Sequence, residues 1–434
     1  MGYFADLHIH SRFSRATSKD LNLETLSKYA RQKGLKVLGT GDFTHPIWFN
    51  ELEQLLRPAP EAGLFVLKSS AADESATRFM LSVEISSIYP QGGKSRRVHT
   101  LVLLPSMETT KKFNQSLLGR GANLHSDGRP IVGLSAKQVA QIALEAHAQA
   151  LVIPAHAWTP WFSVFGSMSG FDSLEDCFEE VTPQILAIES GLSSDPGMNW
   201  RLSQLDSVAI ISCSDAHSAA KLGREATELE GEMSYSAIRE ALRTGAPARS
   251  AGRAIAAVRL VSTIEFFPEE GKYHYDGHRE HKVRLSPQER QAHKGLCPLC
   301  GRPVTVGVLS RVEKLADREV GFRPEGAPDY RSLVPLAEVI GDALGLGVSS
   351  KAVQAPYEKL LENGGNELSL LLNMPLEEIE QASSPLIAEG VRRVRAGQLH
   401  IEPGYDGEYG TVHVFSPQER EAFKTKADVQ VSLF

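Results

Sequence analysis

Asp6-Leu7-His8-Ile9-His10 places two imidazoles two residues apart in a stretch that alternates polar and apolar residues. On an extended strand, side chains two apart share a face. The alternation therefore predicts Asp6, His8 and His10 on one side, and Leu7 and Ile9 on the other. Two imidazoles so placed can grip one metal ion, or can be surface histidines at a strand end. Later segments decide by bringing more ligands. Residues 36–41 read as a strand leading to Asp42, with His45 close behind. Residues 78–84 read as a strand ending in Glu84, and residues 98–104 as a strand with His99 near its start. Residues 150–155 lead to His156, residues 184–188 to Glu189, and residues 208–214 to Asp215 and His217. Singly, each is an ordinary core or strand-end residue. Gathered together and empty, they would be poorly solvated and would repel one another or shift their pKa values. Metal ions remove that difficulty.

A second constellation lies further on. His278-x-x-His281 is followed by Cys297-x-x-Cys300, which supplies two imidazoles and two thiolates, with His274 or His293 as alternative imidazoles. That donor set suits a closed, tetrahedral structural Zn²⁺ site. The other two cysteines, Cys177 and Cys213, are isolated, so no disulfide framework is implied and a reducing compartment is expected.

The elements that must position these residues alternate strand and helix. Asn22 and Ser135 are helix caps, and Gly34 ends the first helix. Near-continuous apolar strands argue for an α/β protein whose parallel sheet is covered on both faces. Ligands at successive strand ends favour a barrel, whose strand ends converge on one mouth, over a doubly wound sheet with a single switch point. The expected organisation is a barrel over 1–265, a zinc-binding domain over 266–330, a helical region over 331–411 and a tail over 412–434.

The chain has 434 residues, 42% hydrophobic, with a net charge of −7, which fits a globular protein without a global basic field. No long apolar run and no signal-peptide pattern occur, so a cytoplasmic protein without a membrane partner is expected. Arg392, Arg393 and Arg395 sit near the end of a predicted helix, where they either complement the helix dipole or meet phosphate.

The barrel elements resemble the polymerase and histidinol phosphatase (PHP) family of metal-dependent phosphoesterases. The resemblance rests on Asp6 to His10, Gly41-Asp42, Val83-Glu84, His99, Pro154-Ala155-His156 and Ser214 to His217. It implies a distorted seven-stranded barrel holding up to three catalytic divalent ions of Zn, Mn or Mg. His8, His10, Glu84 and Asp215 would hold one ion. Glu84 would bridge to a second, held by His99 and His156. His217, with Asp42 or His45, would hold a third. Asp6 would orient an imidazole. Members often carry Asp-His where this chain has Asp42-Phe43.

The stretches 39–46, 126–130, 156–162 and 191–196 look like endonuclease Q, over nearly the whole chain. Members of that family nick DNA on the 5′ side of uracil, hypoxanthine, xanthine and abasic sites. The resemblance implies a metal-dependent DNA repair endonuclease acting on damaged DNA, expected as a monomer. Asp215, His217 and Glu84 would be catalytic, and Arg129 would clamp phosphate. Asn123, Asp127, Ser193 and Ser194 would meet a base edge. Trp158, Trp161 and Phe162 would stack or wedge there, or fill the core. The C-terminal Gln430-x-x-Leu433-Phe434 resembles the peptide by which bacterial repair proteins dock to the sliding clamp. The alternatives are a phosphatase of small phosphate esters and a non-catalytic DNA-docking scaffold.

Overall fold

Residues 2–250 and 257–423 are described by the structure, a computed structural model. Strand β1 (Gly2–Asp6) runs parallel to β2 (Leu35–Gly39), and β2 parallel to β3 (Arg78–Gln91). The crossover helix Leu23–Lys33 starts where the Asn22 side chain accepts the Thr25 amide and stops at Gly34, whose φ is 93°. β3 turns back as β4 (Lys94–Leu104), and β4 pairs antiparallel with β5 (Leu151–Pro154). Strands β6 (Ala187–Glu189) and β7 (Ala209–Ile211) form a parallel pair.

Backbone bonds beyond these strands close the circuit. The Ala157 amide donates to the Glu189 carbonyl at 3.0 Å, tying the chain after β5 to β6. Past β7, the Asp215 amide reaches the His8 carbonyl at 3.0 Å and the His10 amide reaches the Ala216 carbonyl at 3.1 Å. Two further strands, β8 (Ala226–Glu230) and β9 (Arg259–Glu265), extend the sheet outward from β1.

Ala5, Leu7, Val37, Met80, Leu101, Ile153 and Ile211 fill the space inside this ring. The helix Tyr235–Thr244 plugs one end, where the Tyr235 hydroxyl donates to the Leu103 carbonyl at 2.9 Å and accepts from the Leu151 amide at 3.1 Å. Burying each such aliphatic side chain stabilises by about 1.5–3 kcal/mol. The polar residues are left for the other end.

Three expectations change here. β3 does not end at Glu84 but continues to Gln91, and β4 begins at Lys94 rather than Val98. Residues 85–89 (Ile-Ser-Ser-Ile-Tyr) remain strand-competent, so one carboxylate does not stop the strand. Glu84 and His99 therefore stand mid-strand on a long hairpin whose turn uses Gly92 and Gly93 at φ 60° and 73°. Next, the strand alternation fails after β1. Leu7 joins the inner cluster but Ile9 the outer one, because regular pairing ends at Asp6. Finally, the strand Asp329–Ser332 pairs in parallel with β9, so the middle region returns to the main sheet across the expected boundary at 330.

The helices Leu336–Leu344, Lys351–Gly364, Glu367–Leu372, Leu376–Ala382 and Pro385–Ala396 pack beside the first crossover helix. Their anchor is buried. Lys33 Nζ lies 2.6 Å from Glu367 Oε2, which also accepts the Tyr357 hydroxyl at 2.7 Å. Arg395 donates to the carbonyls of Leu370, Leu371 and Met374, while Arg392 and Arg393 pair with Glu389. Arg393 and Arg395 are thus engaged within the fold, whereas the Arg392 side chain, paired with Glu389, is 41% exposed. The expected all-helical stretch also contains a hairpin, His400–Glu402 with Thr411–His413. Gln430, Leu433 and Phe434 lie outside the described residues. Among the described residues, no helix is long and apolar enough to cross a membrane.

Candidate metal centres

Glu84 stands at the middle of the open end, fully buried, with its two oxygens facing different imidazole pairs. Oε2 lies 3.6 Å from His8 Nε2 and 3.4 Å from His10 Nε2. Oε1 lies 2.6 Å from His99 Nδ1 and 2.9 Å from His156 Nε2. Asp215 Oδ1 joins the first group, 3.0 Å from His10 Nε2 and 3.8 Å from His8 Nε2. His217 closes a further set with His10 and Asp215. Asp42, His156 and Asp215 all have left-handed backbone, at φ 51°, 30° and 45°. Such strain in residues with side chains concentrates where local geometry serves function.

Each imidazole is held by its other nitrogen. His8 Nδ1 meets Glu189 Oε2 at 2.9 Å, and His10 Nδ1 meets Asp42 Oδ1 at 3.1 Å. His99 Nε2 meets Ser86 Oγ at 3.1 Å, and His156 Nδ1 meets Ser163 Oγ at 3.1 Å. Partners of this kind fix the ring orientation and raise the basicity of a metal-ligating histidine.

His8 Nε2, His10 Nε2 and Asp215 Oδ1 are buried and make no well-aligned hydrogen bond, although His10 Nε2 and Asp215 Oδ1 face each other at 3.0 Å. Leaving such groups unsatisfied is costly, and a divalent cation among them satisfies all three. Donors of this chemistry, imidazole nitrogen and carboxylate oxygen, fit Zn or Mn. Burial opposes ionisation of Glu84, yet His99, Arg129 and His8 hold its carboxyl well below the usual range. Burial also opposes charging His8 and His10, but Glu189 and Glu84 raise the first, and Asp215 and Asp42 the second. Burial pushes His99 down to about 4.

Several expected residues stand elsewhere. Asp42 does not face the third set. Its Oδ2 accepts the Ser11 amide at 2.7 Å and the Ser11 and Ser14 hydroxyls, and its Oδ1 faces His10, so it is spent on orienting that ring. His45 precedes the helix Pro46–Leu55 and stacks on Phe13 at 4.4 Å, outside every gathered set among the described residues. Asp6 meets no imidazole, because it accepts the Ser214 and Gly223 amides at 3.0 and 3.1 Å. Glu189 takes that orienting role. It was visible in the sequence as another strand-end carboxylate.

Arg129 Nη1 lies 3.0 Å from Glu84 Oε2 and so pairs with the central carboxylate. Asp127 accepts the Arg15 and Arg129 amides, Ser194 donates to the Ser190 carbonyl, and Asn123 accepts the exposed His125 amide. Asp127 and Ser194 are buried and committed, whereas Asn123 is exposed and Ser193 partly so. Trp158 is core, donating to Asn199 Oδ1 at 2.7 Å. Trp161 and Phe162 are half-buried. Phe162 sits 4.7 Å from the His99 ring with φ at 65°, and Trp161 sits 5.6 Å from Tyr273.

The second constellation also gathers. One ligand atom from each of His278, His281, Cys297 and Cys300 lies within 4.8 Å of the others. Cys297 Sγ is 3.5 Å from His281 Nδ1, and Cys300 Sγ is 3.7 Å from His278 Nδ1. Zn–N near 2.0 Å and Zn–S near 2.3 Å place tetrahedral ligands about 3.3–3.8 Å apart. Desolvation would raise the Cys297 thiol, but the Leu299 amide and His281 bring it to about 7. His274 is buried away from the set, beside Tyr275, and His293 ends the helix Pro287–Ala292.

An α/β ring with carboxylates and imidazoles converging at one end defines a class of candidate metal-dependent hydrolase. Comparison with known proteins narrows it. PfuEndoQ, a lesion-specific endonuclease from Pyrococcus furiosus, superposes with a TM-score of 0.81 at 30% identity, over 95% of each chain. Endonuclease Q bound to a 27-mer duplex with an abasic lesion at its active site gives 0.82 at 30% identity, over 96% of this chain and 98% of that one. The chain belongs to the endonuclease Q family, within the PHP superfamily.

Residues 335–398 match the MJ0043 C-terminal domain family. The uncharacterised protein MJ0043 of Methanocaldococcus jannaschii is 32% identical over 277 residues, which cover 62% of this chain and 32% of that protein. This chain thus matches about a third of MJ0043's length. YqxK of Bacillus subtilis, also uncharacterised, is 28% identical over 422 residues, 94% of this chain and 98% of that one.

Proposed function

We propose that this protein is a DNA repair endonuclease that hydrolyses the phosphodiester 5′ to deaminated bases or abasic sites. The observation that carries the reading is Glu84, which faces two imidazole groups from its two oxygens, beside buried His8, His10 and Asp215 atoms that make no well-aligned hydrogen bond. The strand ring is read as the distorted seven-stranded PHP barrel. His8, His10, Glu84, Asp215, His99 and His156 would hold divalent ions, which would lower the pKa of a water and neutralise negative charge on the phosphate oxygens.

The chain's own residues do the rest. His8, His10, Glu84 and Asp215 form one ligand set, and Glu84, His99 and His156 the other. His217 closes a third set with His10 and Asp215 instead of with Asp42 or His45. Glu189, Asp42, Ser86 and Ser163 fix the ring orientations. Arg129, whose guanidinium is partly exposed, binds a phosphate oxygen on leaving Glu84. Phe162, packed on His99, and with it Trp161, Asn123 and Ser193 are assigned to meet an extruded base, whose extrusion costs least at damaged positions. The zinc set stabilises the middle region, and no open coordination position is assigned to it.

Purified protein incubated with Mn²⁺, Mg²⁺ or Zn²⁺ and duplexes carrying uracil, hypoxanthine, an abasic site or no lesion tests the reading. Incision of the damaged duplexes is expected. Hydrolysis of p-nitrophenyl phosphate without incision of any duplex would favour the small-ester phosphatase.

A further inference from the structure

We infer that Asp6 and Arg224 are positioning residues, which hold the turn carrying Asp215 in the shape that presents its carboxylate to a metal ion. The inference rests on the metal-centre reading above. Asp6 ends β1 and Arg224 stands just before β8, and neither belongs to a gathered ligand set among the described residues. Between β7 and β8 the chain leaves the regular strands, and this excursion bears Asp215 and His217.

Asp6 closes the excursion at both ends. Its Oδ1 accepts the Ser214 amide at 3.0 Å, and its Oδ2 accepts the Gly223 amide at 3.1 Å. The side chain is fully buried. Burying a carboxylate is costly unless its oxygens are satisfied, and here both are spent on backbone amides from the two ends of one loop. Arg224 fixes the next peptide unit. Its Nε donates to the Ser214 carbonyl at 2.9 Å, while the Asp215 amide of the same unit donates to the His8 carbonyl at 3.0 Å. The orientation of that unit sets the φ of Asp215, which is 45°. A residue with a side chain keeps such a value only where its surroundings over-determine it. Losing the Arg224 bond frees the unit to turn. Turning carries Asp215 toward ordinary backbone and its Oδ1 away from His10 Nε2, which lies 3.0 Å from it.

Both residues therefore act on the metal through Asp215. The effect reaches His217 as well, because its Nδ1 meets the Asp215 carbonyl at 2.9 Å. The set of Glu84, His99 and His156 is independent of the turn, since it stands on β3, β4 and the loop after β5. A disturbed turn should thus weaken the two sets that contain Asp215 and spare this one. The Arg224 guanidinium lies over the Phe266 ring, 5.9 Å from its centroid. A direct contact of Arg224 with DNA is the competing role, and it would raise the KM for the duplex without touching metal affinity.

The test separates metal affinity from DNA affinity and from stability. Parent, Arg224→Ala, Arg224→Lys and Asp6→Asn proteins are loaded with Mn²⁺, and the metal kept against graded chelator is counted by mass spectrometry. Arg224→Ala is expected to weaken Mn²⁺ binding at the Asp215 sets about 10- to 100-fold, the usual effect of losing a ligand's support. The Mn²⁺ concentration for half-maximal incision of an abasic duplex should rise by the same factor, at an unchanged KM for the duplex. Arg224→Lys, which can still donate to the Ser214 carbonyl, should recover most of the loss. Asp6→Asn can accept only one of the two amides and should lose metal as Arg224→Ala does. Tyr235→Phe removes hydrogen bonds at the plugged end of the ring, so it should lower the melting temperature and leave the metal readings unmoved. Arg224→Ala with the parent's Mn²⁺ affinity overturns the inference and leaves the endonuclease reading intact, as does a variant changed only in KM. A parent that keeps neither Mn²⁺ nor Zn²⁺ beyond the zinc of the middle region overturns both. If Asp6→Asn fails to fold, the two Arg224 variants decide.

Discussion

Glu189 holds His8 in place. Its Oε2 lies 2.9 Å from His8 Nδ1 and also accepts the His156 amide at 3.0 Å. One carboxylate thus braces a ring from the first ligand set and the backbone of a ligand from the second. Replacing Glu189 with Gln keeps the shape and removes the charge behind His8. Metal affinity should fall about 10- to 100-fold, the usual effect of losing such a partner. Metal retained after dialysis against graded chelator, measured by mass spectrometry, checks this. Unchanged retention would show that the contact does not tune the site.

Metal uptake should release protons. His8 and His10 are raised well above the ordinary imidazole value, since their carboxylate neighbours outweigh burial, so the metal-free site favours their protonated forms. Ligation needs them neutral. Titration calorimetry in buffers of different ionisation enthalpy should report net proton release on metal binding at pH 7. Apparent affinity should rise with pH from 6 to 8. A pH-independent affinity would contradict the ligand assignment.

The middle region should depend on zinc. Cys297→Ser removes one of the four gathered donors. The variant should hold one zinc fewer and melt at lower temperature, while retaining the metals bound at the barrel mouth. Equal zinc content in variant and parent would exclude the structural site.

Acidic stability should carry a signature from Glu265. This carboxyl is fully buried, and burial raises it to about 8. A raised folded value means that the folded state binds the extra proton. Its stabilising effect is complete below the unfolded value of about 4.5 and is lost as pH climbs toward 8, at about 1.4 kcal/mol per unit. Glu265→Gln should therefore flatten that part of the stability profile and raise the melting temperature most at pH 8. Parallel profiles for parent and variant would contradict this.

The sequence exposed the ligands but not their supports. His8, His10, Glu84, His99, His156, Asp215 and His217 are recognisable because their types recur along successive strands. The partners of those ligands are not recognisable in the same way. Whether Asp6, Asp42 or Glu189 orients an imidazole depends on where pairing breaks after β1, which a period-2 pattern does not reveal. Likewise, Glu84 read as a strand end because a carboxylate interrupts an apolar run, whereas the hairpin continues through it. The Lys33–Glu367 bridge joins residues far apart in the chain, and no local signal couples them.

That bridge is itself testable. Its partners are buried, so removing one strands the other in a dry environment, at a cost of about 3–5 kcal/mol. Lys33→Met should lower stability in urea by that order, and the double change with Glu367→Leu should recover much of it. A single variant as stable as the parent would show that the helical region is anchored elsewhere.

The central claim is that the ligand sets around Glu84 cut damaged DNA. Its most direct test follows a 5′-labelled duplex with one abasic site, using protein stripped of metal and then titrated with Mn²⁺ or Zn²⁺. Incision on the 5′ side of the lesion should appear with added metal and should be absent from stripped protein. Asp215→Asn should be at least about 100-fold slower at every metal concentration, a loss expected for removing a metal ligand. Incision that persists without metal, or in Asp215→Asn at the parent's rate, would contradict the account.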